Sequence, residues 1–163
     1  MAEDRRRLVD QRTAHCNELK AVLKTYFPEV LKLQAARIYS DFIIAFLLKY
    51  SSLDVAQKAG AKQLRKMFYG VGSRAKAETR VQLLLDATPL SRDAVHIQAC
   101  AMRVTALVAL IKTYNAQIRI YQARIADEVT NHEDFAIYKS LPDASDLTQT
   151  RMIAAMGDDR ARY

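Results

Sequence analysis

Seven basic side chains between residues 51 and 80 are the feature of this 163-residue chain that most directly suggests chemistry. Lys58, Lys62, Arg65 and Lys66 recur at steps of three and four, and Arg74, Lys76 and Arg80 follow, with only Asp54 and Glu78 opposing them. Cations spaced in this way on neighbouring helices lower the energy of a phosphate backbone through counterion release, whatever its base sequence. Phe68 and Tyr69 would add base stacking if they are exposed. The competing explanation is an ordinary solvated helix face. Arg5, Arg6, Arg7 and Arg12 add to the positive field and bring a nucleic-acid partner level with that explanation.

Other groups carry less. The histidines at 15, 96 and 132 are scattered, and His15 beside Cys16 cannot aim both side chains at one metal from a helix, because adjacent positions diverge by about 100 degrees. No metal site and no catalytic residue are expected. Gly70-Val71-Gly72-Ser73-Arg74 superficially resembles a phosphate loop, but it has no preceding strand and lacks the remainder of either nucleotide fingerprint, so it reads as a helix connection. No Ser/His/Asp order or paired-carboxylate motif stands out, and an isolated hydrolytic activity has little support.

These residues need elements to hold them, and the punctuation of the chain indicates which. Gly and Pro occur only at 28, 60, 70, 72, 89, 142 and 157, leaving helix-sized gaps. Half the residues are hydrophobic, which excludes extensive disorder, and the shortage of turn residues excludes a sandwich of short strands. The expected fold is all-α. Residues 3–26 read as a first helix, with Cys16, Leu19, Leu23 and Tyr26 on one face. Helices are predicted over 29–38, 41–50, 54–69 and 74–86, with Asp41 and Ser73 as N-caps. After Pro89, 52 residues run without Gly or Pro, and a long coiled-coil helix is predicted over about 91–131, capped by Ser91. Ile97, Cys100, Val104, Leu107, Ile111, Tyr114, Ile118, Tyr121 and Ile125 alternate steps of three and four within it. Two explanations fit this seam: core packing inside one helical bundle, and a coiled coil between subunits, parallel or antiparallel.

Charge divides the chain unevenly. The net is +3 over residues 1–50, +5 over 51–80, +3 over 81–126 and −4 over 127–163, giving +7 in all. A basic helical region over 1–132 and a distinct segment over 133–163 are expected. Two cysteines without a pairing motif fit a reducing cytosol. The opening MAEDRRRLVDQR does not read as a signal peptide. The longest strongly apolar run, Phe42 to Leu48, falls far short of the roughly 20 residues a membrane-spanning helix requires. A soluble cytoplasmic protein without membrane contact is therefore expected.

The tail, DFAIYKSLPDASDLTQTRMIAAMGDDRARY, has the outline of a helix-hairpin-helix built around Leu141, Pro142, Asp143, Ser145 and Thr148. It resembles the opening of the C-terminal transposase domain of the DEDD-type, bridge-RNA-guided insertion-sequence recombinases. That pattern runs Ser-Leu-Pro-Gly-x-Gly, two residues, Thr, a small-residue helix, then Gly-Asp and an aromatic. Ser140, Leu141, Pro142, Thr148, Ala154, Gly157, Asp158 and Tyr163 match it. The N-terminal stretch RRRLVDQRTAHCNELKAVLKTYFPEVL is similar to the Arg/Leu-rich helix, ending in Phe-Pro-Glu, that leaves the family's nuclease domain. Asp143 and Ser145 stand where the family has glycines that let backbone amides approach a phosphate. An aspartate there places negative charge where the phosphate would sit, which disfavours phosphate contact by this hairpin.

The resemblance implies a DNA transposase whose acidic metal-binding residues and nucleophilic serine lie outside these 163 residues. A divalent metal such as magnesium would then belong to the nuclease domain, and this chain would hold no cofactor. The implied partners are DNA, guide RNA and further copies of the chain. The residues expected to contact phosphate are Lys62, Arg65, Lys66, Arg74, Lys76 and Arg80, with assembly through the seam from Ile97 to Ile125. The alternatives are a stand-alone dimeric nucleic-acid-binding helical protein and a structural adaptor whose charge only keeps it soluble.

Overall fold

The computed structural model describes residues 1–34, 37–70, 74–132, 135–140, 145, 148, 149, 152 and 153. Its architecture is all-α, 84% helical and without strands among these residues. Seven helices follow in order: α1 (Ala2–Tyr26), α2 (Glu29–Gln34), α3 (Asp41–Lys49), α4 (Leu53–Tyr69), α5 (Arg74–Leu85), α6 (Ala94–Thr130) and α7 (Phe135–Lys139). The chain forms two compact units, residues 12–113 and residues 1–11 with 114–163.

The core of the first unit follows from helix periodicity. In α1 the buried residues are Cys16, Leu19, Val22, Leu23 and Tyr26, the stripe expected from their spacing. The short α3 is apolar nearly all round and buries Phe42, Ile43, Ile44, Phe46 and Leu47. Phe46 is at the centre of an aromatic cluster, its ring 6.3 Å from Phe27, 6.2 Å from Phe42, 5.2 Å from Tyr50 and 5.9 Å from Phe68. Such rings combine large apolar burial with favourable edge and offset contacts. The buried Tyr26 hydroxyl donates to the Ser51 carbonyl at 2.9 Å, and burial pushes its phenol well above the ordinary tyrosine range.

Two caps differ from expectation. Ser40, not Asp41, caps α3: its backbone is extended and its hydroxyl accepts from the Ile43 amide at 3.4 Å, which leaves Asp41 in the first turn facing the positive end of the helix dipole. Asp93 rather than Ser91 caps α6, accepting from the amides of Val95 at 2.9 Å and His96 at 3.3 Å. The carboxylate wins because it reaches two otherwise unpaired amides. The Ser91 hydroxyl accepts instead from the Asp93 amide, at 3.3 Å. Ser73 lies outside the described residues.

The seam residues, for which core packing and a coiled coil between subunits both fitted, are buried or half-buried within the single chain. Val104, Leu107 and Ile111 join the core of the first unit, with Ile97 and Cys100 packed against it, and Ile118 and Ile125 are buried in the second. Tyr114 and Tyr121 are half-buried. Val108, Asn115 and Val129 are also buried, so the covered stripe is wider than the heptad pattern. The other face of α6 is open: Val95, Met102, Leu110 and Ile120 are 77%, 68%, 44% and 59% exposed. Counting unbroken apolar runs missed one property of this helix. An 18-residue window of α6 has a mean hydropathy of 1.7 with 22% of it buried, so by length and composition α6 is long and apolar enough to cross a membrane.

Most of the C-terminal hairpin, including Leu141, Pro142 and Asp143, lies outside the described residues. Ser145 and Thr148 are described: the Ser145 hydroxyl accepts from the Thr148 amide at 3.4 Å and lies 3.1 Å from the Thr148 hydroxyl. The Ser145 side chain thus has the geometry of an N-cap.

Candidate nucleic-acid interface

The basic residues of the middle region are carried by α4 and α5, two helices packed on each other. Ser52 starts α4, its hydroxyl accepting from the Val55 amide at 3.4 Å. The helix then breaks at Gly60, whose φ of 75° and ψ of 167° fall in a region only glycine enters readily. The periodicity of Lys58 with Lys62, Arg65 and Lys66 assumed a straight helix, and Gly60 interrupts it. Lys58 belongs to the first half and pairs with Asp54 at 2.7 Å.

In the second half Leu64 and Phe68 point inward and are fully buried. In α5 the inward residues are Ala77, Val81 and Leu84. With those positions committed to the core, Lys62, Arg65, Lys66 and Lys76 are exposed and Arg80 is half-buried, its guanidinium 5.9 Å from the centre of the Phe68 ring. Arg74 begins α5, and its side chain lies outside the described residues. Among the described residues Lys62, Lys66 and Lys76 enter no ion pair.

Arg65 is not free. Its Nε lies 3.0 Å from both carboxylate oxygens of Glu78, and the Tyr69 hydroxyl donates to the same carboxylate. These donors, Tyr69 first and then Arg65, hold the Glu78 carboxyl below the ordinary glutamate value. Glu78, the one acidic residue in the sequence between Lys62 and Arg80, therefore neutralises one of these cations and anchors the exposed Tyr69. Phe68, suggested for base stacking, is unavailable because the aromatic cluster encloses it.

A residue that charge counting overlooked fixes the helix pair. Gln57, on α4, donates from Nε2 to the carbonyls of Leu84 at 3.0 Å, Leu85 at 3.3 Å and Ala87 at 2.8 Å. It satisfies carbonyls left unpaired at the end of α5, and nothing in the local sequence marks it for that task.

A second constellation lies in a groove of about 420 Å³ lined by Glu18, Val22, Thr25, His96, Cys100 and Arg103. His96 and Cys100 are four residues apart on α6, and the Cys100 Sγ lies 3.6 Å from the His96 Nε2. Arg103 bridges to Glu18 at 2.6 Å and, with His15, holds that carboxyl below its ordinary value. Among the described residues no group of three or more His, Cys, Asp or Glu is placed to hold a metal.

No protein family, curated protein or solved structure matches the chain.

Proposed function

We propose that this chain is a helical region of a DEDD-type insertion-sequence transposase, contributing phosphate contacts to DNA or guide RNA and subunit assembly rather than bond-breaking chemistry. One observation supports the phosphate contacts above all. The α4–α5 pair commits its apolar residues to the core and leaves Lys62, Lys66 and Lys76 exposed, with Glu78, the one carboxylate in the sequence between Lys62 and Arg80, already shared between Arg65 and Tyr69. Flexible ammonium groups on a firm helical support suit contact with a phosphate backbone irrespective of its bases. Arg74 and Arg80 extend the same basic run in sequence. The transposase assignment itself rests on the tail motif from Ser140 to Tyr163.

Fluorescence anisotropy with a duplex DNA and a single-stranded RNA across a salt series tests this reading. The logarithm of affinity should fall linearly with the logarithm of salt, by about 0.9 per phosphate contacted on duplex DNA. Replacing Lys62, Lys66 and Lys76 together by alanine should reduce that slope by roughly 2 to 3. Absence of binding to either nucleic acid at about 50 mM salt, where such contacts are strong, refutes it.

A further inference from the structure

The open face of α6 deepens the assembly half of that reading, and its test measures mass rather than nucleic-acid binding, so each can fail without the other. The first heptad seam is buried or half-buried within the chain itself, yet a second one runs along the opposite side of the same helix. Val95, Ala99, Met102, Ala106, Ala109 and Thr113 again alternate steps of four and three, and the pattern continues through Ala116 and Ile120. All of these are exposed. The one hydroxyl among them is already satisfied: Thr113 Oγ1 donates to the Ala109 carbonyl at 3.1 Å, so its methyl group can be covered without leaving a polar atom unpaired.

We propose that this face pairs with the same face of a second copy, antiparallel, across a two-fold axis near Ala106–Ala109. Size and charge along the seam both favour this occupant. With Ala106 set against Ala109 of the copy, the next layers become Ala99 against Ala116, Met102 against Thr113 and Val95 against Ile120. Small residues then occupy the middle, where backbones approach most closely, and the bulky ones close the two ends.

The flanking positions decide between orientations. In the antiparallel register Arg103 faces Leu110, Lys112 faces Thr105 and Arg119 faces Gln98, so no two like charges meet. A parallel pair sharing this seam sets Arg119 beside Arg124, a repulsive contact, and stacks Met102 on Met102. A lipid surface suits the face less well. Midway along it Arg103 holds an exposed ion pair with Glu18 of the charge-rich helix α1, which would have to be desolvated.

A single helix pair covers less than the about 800 Å² per partner typical of firm complexes, so a micromolar, concentration-dependent dimer is expected. Sedimentation equilibrium from about 1 to 200 μM brackets that affinity range and should show the mass rising from monomer to dimer. The double variant Ala106→Glu/Ala109→Glu should stay monomeric with unchanged helical circular dichroism, since both positions are exposed in the single chain. In a Cys100→Ser background, Met102→Cys/Thr113→Cys should form an interchain disulfide and Met102→Cys alone should not. A monomer at every concentration, or a dimer that survives the double glutamate variant, overturns the proposal. Cross-linking of the single Met102→Cys variant overturns the antiparallel register. Flotation of a protein that stays monomeric on phosphatidylglycerol–phosphatidylcholine vesicles would assign the face to lipid and overturn it as well.

Discussion

The two compact units bury apolar surface in different ways. Residues 12–113 enclose a wide core drawn from α1 to α6, with Phe27, Phe46 and Phe68 fully buried at its centre. In the other unit the buried apolar residues of α6 are Ile118, Ile125 and Val129, a single stripe. A wide core makes each residue answerable to neighbours on several helices, whereas a stripe is covered from one side only. Stability should therefore concentrate in the first unit, and the second should open more readily in native-state hydrogen exchange.

The largest test of that contrast is a pair of truncations. Phe46→Ala removes the ring at the middle of the cluster and should cost about 3–5 kcal/mol, whereas Ile125→Ala should lie near the lower end of its class, at about 2 kcal/mol. Urea denaturation of both variants checks the order, and a costlier Ile125→Ala would break the comparison. Next comes Gly60→Ala. No atom lies within 4 Å of the added Cβ, so the cost is that of the backbone alone. That conformation is worth about 1–3 kcal/mol to a non-glycine residue. Smaller again, Gln57→Ala strands the carbonyls at the end of α5 and should cost about 1 kcal/mol.

Two finer measurements follow from the environments of ionisable groups. Burial raises the Cys16 thiol above its ordinary value, while Cys100 sits half-exposed beside His96, so a thiol reagent should modify Cys100 first and Cys16 only on unfolding. Equal rates would show that the α1–α6 packing opens readily. Glu18 and Glu78 are both held below the ordinary value of 4.5. A lowered carboxyl contributes stability that is present above its unfolded value and lost as pH falls through the folded one. Glu18→Gln should hence flatten the acid limb below that value and leave neutral stability almost unchanged, because the pair is exposed. Glu78→Gln should also release Arg65 and tighten nucleic-acid binding at low salt.

The helical class and most helix limits were legible in the sequence, because proline lacks an amide donor and glycine carries a high backbone entropy, effects that need no tertiary partner. The stripe of α1 was legible for a similar reason: periodicity alone places Cys16, Leu19, Leu23 and Tyr26 on one side. Competition between near neighbours was less so. Ser40 and Asp41, or Ser91 and Asp93, are all chemically fit to cap, and the backbone conformation chooses between them. The basic cluster was half legible. Its composition is evident, but whether Phe68 faces solvent and whether Arg65 is neutralised depend on how α5 packs on α4.

The sequence by itself determined that the chain is helical, where most of its helices begin and end, and that its positive charge gathers in the middle, since these follow from each residue and its near neighbours. Only the tertiary structure decided which of the two seams on α6 is spent on the chain's own core. Both satisfy the same periodicity, and the choice belongs to residues far away in sequence, such as Leu19 and Leu23, whose burial depends on apolar surface being brought against them.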